Sequence, residues 1–149
     1  MSLDANNLES AHAIEAVIRH IRVVAVLGMK DGTDPGAPAY RIPQRLRAHG
    51  IRVIPVNPKF ETIDGDRCYA SIAAVPEPFD TLDVFRAPKF IAGIADEILA
   101  LPPGRRPRLV WLQSGIRDDA AAARLAAAGI QVVQDRCLGV DADRFRPRA

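Results

Sequence analysis

Apolar residues recur along this chain in two alternating rhythms. Ile14, Val17, Ile18 and Ile21 fall at helical spacing and predict an amphipathic helix over about 9–20. Arg22 then leads into Val23-Val24-Ala25-Val26-Leu27-Gly28, a short unbroken apolar run closed by glycine. Such a run suits a strand buried on both faces of a parallel sheet. The next stretch holds Gly32, Asp34, Pro35, Gly36 and Pro38 and predicts a loop. A helix is expected over about 40–49, with Ile42 and Leu46 on one face, Pro43 in its first turn and Gly50 as its stop.

The unit then repeats. Ile51-Arg52-Val53-Ile54-Pro55-Val56 reads as a second strand, with Pro55 near its end or on a less paired side. Residues 57–80 are irregular, with a turn at Asp64-Gly65 and a short helix near 71–75. Thr81-Leu82-Asp83-Val84-Phe85 is a third strand, and Pro88 opens a helix striped by Ile91, Ile94, Ala95 and Ile98. Leu109-Val110-Trp111-Leu112 is a fourth strand. An Ala-rich helix over about 117–128 follows, with Asp118 and Asp119 favouring its N-terminal dipole. Ile130-Gln131-Val132-Val133 is a fifth strand. Five alternations predict a doubly wound, Rossmann-like α/β sheet of about five parallel strands with helices on both faces. The organisation expected is one domain over 1–149: the N-terminal helix, a core over about 22–138 and a short C-terminal tail.

In such a sheet ligands bind beyond the carboxyl ends of the strands. Those positions hold Gly28, Met29, Lys30, Asp31 and Gly32 after strand one, and Asn57, Pro58 and Lys59 after strand two. Arg86 follows strand three, Gln113, Ser114 and Gly115 follow strand four, and Asp135, Arg136 and Cys137 follow strand five. Arg41, at the start of the second helix, is placed to reach an anion held by the first loop. Glycines, amides and cations in that arrangement suit a phosphate-bearing ligand. The Gly-x-Gly-x-x-Gly fingerprint of dinucleotide sites is absent, and no acid stands at the end of strand two before Glu61. Lys59 there suits an extra ribose phosphate. Coenzyme A carries one at its 3′ position and NADP at its 2′ position, and spacing does not separate them.

Composition narrows the field. A net charge of +2 does not mark a nucleic-acid partner, and the excess of 17 Arg over 3 Lys reads as GC-rich coding together with the Ala and Pro content. No run approaches the ~18 apolar residues of a membrane span. The polar start lacks a signal-peptide pattern, so a cytoplasmic location is expected. Two cysteines, Cys68 and Cys137, make neither a disulfide framework nor a zinc site. Cys137 reads as a small buried residue, although Arg136 beside it would favour a thiolate. His12, His20 and His49 lie on predicted helices, away from the strand ends, and no nucleophile elbow or Walker loop occurs.

Five strand-end motifs now stand in order: Val26-Leu27-Gly28, Val53-Ile54-Pro55-Val56-Asn57-Pro58, Asp83-Val84-Phe85-Arg86, Val110-Trp111-Leu112-Gln113-Ser114-Gly115-Ile116 and Asp135-Arg136-Cys137. Together they resemble the small bacterial CoA-binding domain proteins over roughly residues 10–138. Their fold is similar to the nucleotide-binding domain of the succinyl-CoA synthetase alpha subunit. The resemblance implies that the Gly28 loop wraps the phosphates of coenzyme A or an acyl-CoA. Asn57, Pro58 and Lys59 would lie near the ribose and its 3′-phosphate, with Arg86 and the Gln113–Gly115 turn bordering the remainder. Where that family often has a serine two places after the glycine, this chain has Lys30, a point charge for phosphate. The expected role is a non-catalytic carrier, sensor or partner module, with a protein partner or homo-oligomer compatible. The alternatives are an NADP-binding oxidoreductase and an enzyme acting on CoA thioesters.

Overall fold

The computed structural model describes residues 3–147. Helix α1 (Ala11–Ile18) precedes strand β1 (Val23–Leu27), followed by α2 (Pro38–Ala48) and β2 (Arg52–Val56). A small antiparallel pair, β3 (Thr62–Ile63) and β4 (Asp66–Arg67), comes next. The alternation then resumes with β5 (Thr81–Val84), α3 (Ile91–Ala100), β6 (Leu109–Leu112), α4 (Asp119–Ala127), β7 (Gln131–Val133) and α5 (Leu138–Phe145). Five strands form one parallel sheet in the order β2-β1-β5-β6-β7. The chain starts inside the sheet at β1, adds β2 on one side, then crosses to β5 on the other. The loops leaving β1 and β5 therefore diverge, and a crevice opens between them at the switch point.

The period-two alternation of the strands divides the core into two layers. Val24, Val26, Leu109, Trp111 and Val133 pack with Ile14, Ile18, Leu46 and Leu138 under α1, α2 and α5. Ala25, Leu82, Val84, Val110 and Val132 pack with Ile91, Ile94, Ile98 and Leu125 under α3 and α4. Both faces are covered, which is why the strands read as nearly continuous apolar runs. The Ser10 hydroxyl accepts from the Ala13 N–H at 3.1 Å and starts α1. The Asp118 carboxylate accepts from the Ala121 N–H at 3.0 Å and starts α4.

Both sheet edges are partly covered. Tyr69 bridges to Val56 on the outer side of β2, its N–H donating to the Pro55 carbonyl at 3.0 Å. Pro55 thus sits on an edge strand, as its missing N–H requires. Asn7 bridges to Val132, and the Leu8 N–H donates to the Val132 carbonyl at 2.8 Å, covering part of β7.

Two expectations change. Helix α2 starts earlier than its apolar pattern suggests, so Pro38 takes its first turn and Pro43 lies in its interior. A proline there leaves the carbonyl four residues back without its helix donor. That carbonyl belongs to Ala39, and it accepts the backbone N–H of Lys30 at 3.1 Å, from the loop after β1. The expected C-terminal tail forms helix α5. Its Gly139 packs so closely that a Cβ there would lie 3.2 Å from Ile42 of α2. Beyond α5, the half-buried Arg146 guanidinium donates to the carbonyls of Ile18 and Ile21, at 2.8 and 2.9 Å, just past the end of α1.

Candidate ligand site at the carboxyl edge of the sheet

A cavity of about 490 Å³ opens at the switch point, within the range of small-molecule sites. Six residues expected there line it: Gly28, Lys30, Arg41, Arg86, Gln113 and Ser114. The N-terminus of α2 (Ala37, Pro38 and Ala39) supplies another wall, and Ile42, Phe85, Ala87, Ile116 and Cys137 complete it. Composition gave no signal for the alanines, whose contribution is backbone. Pro38 was legible only as a loop residue. A second cleft of about 400 Å³ shares Arg86 and is walled by Leu27, Pro58, Ile72, Phe90 and Glu97, among others. The Arg86 guanidinium lies 4.4 Å from the centroid of the exposed Phe90 ring, so it stands between the two clefts rather than pairing with Asp83.

The other expected residues do not line the larger cavity. Met29 is fully buried in the core beneath the loop. Its carbonyl accepts the Asn57 side-chain N–H at 3.0 Å, and the Asn57 Oδ1 accepts the Lys59 N–H at 2.9 Å. Asn57 thus ties the loop after β1 to the loop after β2. Lys59 itself is exposed. Gly32 lies against Tyr40, and the Gly115 N–H donates to the Asp135 carboxylate at 2.6 Å. Gly28 has a structural requirement of its own. Its φ is +87°, and a Cβ would sit 2.6 Å from the Phe85 carbonyl oxygen, because the ends of β1 and β5 lie close together before their loops part.

The cavity is lined by cations without acids. Elsewhere several arginines are ion-paired, among them Arg52 with Glu77, Arg124 with Asp96, and Arg136 in a two-pronged bridge to the buried Asp141 at 2.7 and 2.9 Å. Among the described residues, Lys30, Arg41 and Arg86 have no ion-pair partner, and no carboxylate lines the cavity with them. The first turn of α2 has neither an acidic residue nor a side-chain cap. Its uncapped N–H end and the helix dipole add to the positive field. An anion is what this arrangement can hold.

One acidic group lies below the cavity floor. Asp83, on β5, sits in register between Val26 and Trp111 and is fully buried. Its Oδ1 accepts from the Gln113 side-chain Nε2 at 2.6 Å, while Oδ2 has no partner among the described residues. Burial pushes its pKa up to about 7, against the lowering effect of the Gln113 hydrogen bond.

The cysteines also separate. Cys68 is buried, its thiol donates to the Asn57 carbonyl at 3.4 Å, and burial raises its pKa. Cys137 is half-buried and lines the cavity, and its neighbour Arg136 is committed to Asp141. None of the three histidines lines the cavity. His49 is held by Asp143 and the Pro147 carbonyl near the C-terminus.

A family model described as CoA binding domain matches residues 22–143. The chain belongs to that family. The protein YneT of Bacillus subtilis (strain 168) is 26% identical over 127 residues, covering 85% of this chain and 90% of that one. A Thermus thermophilus structure, cell-free ID.343, superposes with a TM-score of 0.81 at 40% identity, over 92% of this chain and 99% of the other. The apo dinucleotide-forming acetyl-coenzyme A synthetase 1 of Ca. Korarchaeum cryptofilum matches with a TM-score of 0.63 at 20% identity. That match covers 78% of this chain but 27% of the synthetase, and the likeness is one of fold. Among the described residues, no helix of this CoA-binding domain protein is long and apolar enough to cross a membrane.

Proposed function

We propose that the protein holds coenzyme A or an acyl-CoA at the carboxyl edge of its sheet and serves as a non-catalytic carrier, sensor or partner module. Family membership supports a CoA-related role. The observation that carries the finer reading is the gathering of Lys30, Arg41 and Arg86 around one cavity that no carboxylate lines. Unpaired cations beside an uncapped helix start favour a pyrophosphate. In this reading Arg86 stands where the nucleotide passes from one cleft to the other, and Pro58 bounds the smaller cleft. Lys59, on the loop after β2, would take the 3′-phosphate. Ile42, Phe85 and Ile116 give the larger cavity an apolar lining suited to the pantetheine arm.

Isothermal titration with coenzyme A, 3′-dephospho-coenzyme A and NADP tests this. Coenzyme A is expected to bind best, with the dephospho form weaker. Binding of NADP in place of coenzyme A would transfer the site to an oxidoreductase reading, and no binding of either CoA form would discard the proposal.

A further inference from the structure

The floor of the cavity contains an amide whose two ends are held unequally. Gln113 follows β6 and is 5% exposed, yet it lines the cavity. Its Nε2 is committed to Asp83 at 2.6 Å. Among the described residues its Oε1 accepts no hydrogen bond, and it is not among the buried side-chain atoms that lack a partner. A primary amide has one donating and one accepting end. With the donating end drawn down to Asp83, the accepting end is left for the cavity.

Asp83 is otherwise hard to account for. It interrupts an apolar layer between Val26 and Trp111, and a buried carboxylate without a cation is costly. A leucine or valine there would pack like its neighbours. What a carboxylate adds at this place is a fixed acceptor aimed at Gln113.

We propose that Asp83 is a positioning residue that turns the Gln113 carbonyl oxygen into the cavity, and that this oxygen selects a ligand carrying an N–H donor there. The inference rests on the CoA reading, under which the donor is an amide N–H of the pantetheine arm. A ligand presenting only acceptors at that point would leave Oε1 facing another lone pair and would be rejected.

A double-mutant cycle on the full chain tests the assignment. Asp83→Asn keeps the shape but offers Gln113 either a donor or an acceptor, so the amide is no longer fixed. Gln113→Met keeps the length and removes the amide. Each single variant should weaken coenzyme A binding roughly three- to tenfold, the range of one neutral hydrogen bond. The double variant should bind as Gln113→Met alone does, because Asp83 acts only through Gln113. Losses that multiply, or an Asp83→Asn protein that binds like wild type, overturn the proposal while leaving the CoA reading intact. A wild-type protein that binds no coenzyme A overturns both.

A wild-type measurement covers the case in which a variant folds poorly. Coenzyme A should shift the side-chain Cδ resonance of Gln113 in a labelled sample and leave its NH₂ pair in place. A shift of the NH₂ pair without Cδ would also overturn the proposal.

Discussion

Replacing Asp83 by Asn removes a proton-binding site from the middle of the sheet, and the consequence is a change in how stability depends on pH. In the unfolded chain this carboxyl has its ordinary value of 3.8; in the folded protein burial pushes it up to about 7. The group is raised, so its contribution to stability is fully present below pH 3.8 and is lost as pH rises towards 7. Above that the loss is complete, because both states are ionised. At ~1.4 kcal/mol per pKa unit the full span is worth about 4 kcal/mol, of which about 2.5 kcal/mol falls between pH 5 and pH 8. Asn does not titrate. Urea unfolding of both proteins at pH 5 and pH 8 should therefore show Asp83→Asn gaining about 2.5 kcal/mol on wild type across that interval. Any constant offset from the new amide cancels in this comparison, as do the other titrating groups. A difference that stays level with pH, or one in which Asp83→Asn loses ground to wild type between pH 5 and pH 8, would refute the burial argument.

Other variants probe the cavity and its supports. Gly28→Ala should lower stability by at least ~1–2 kcal/mol from its left-handed backbone alone, with more from the close approach to Phe85, read as a drop in Tm. Arg86→Ala should weaken coenzyme A binding by roughly 10- to 100-fold in titration calorimetry, while Arg52→Ala, whose partner is Glu77, should leave it unchanged. Arg146→Ala should cost about 1–3 kcal/mol in urea unfolding, since the Ile21 carbonyl loses its donor and the Ile18 carbonyl keeps only the Ile21 N–H. A maleimide should label Cys137 in the folded protein and be slowed by coenzyme A, with Cys68 reacting only on unfolding; equal rates for the two thiols would contradict their burial.

The architecture was legible because a parallel sheet covered on both faces leaves its mark as short apolar runs separated by helical periods. Strand-end positions followed from that, and six of the twelve expected site residues line the larger cavity. What escaped depends on tertiary contact. Helix α5 repeats Leu138, Ala142 and Phe145 at helical spacing, but its buried Asp141 reads as a surface charge until Arg136 is seen to bind it. The alanines at the start of α2 have no side-chain chemistry to display. The clamp that Asn57 makes between the loops after β1 and β2 was not legible, because an amide beside a Pro-Lys turn suits a ligand or a loop contact equally well in one dimension. Asp83 shows no role in one dimension, since nothing in its neighbours along the chain announces Gln113, thirty residues away.

Pro43 has a reach beyond its own helix. By vacating one rung of α2 it gives the Lys30 amide a seat on the Ala39 carbonyl, and loop and helix are riveted together there. Helix α2 in turn lies against α5 through Ile42 and Gly139. The wall of the cavity and the far end of α2, where His49 meets the Pro147 carbonyl, are thereby parts of one continuous piece.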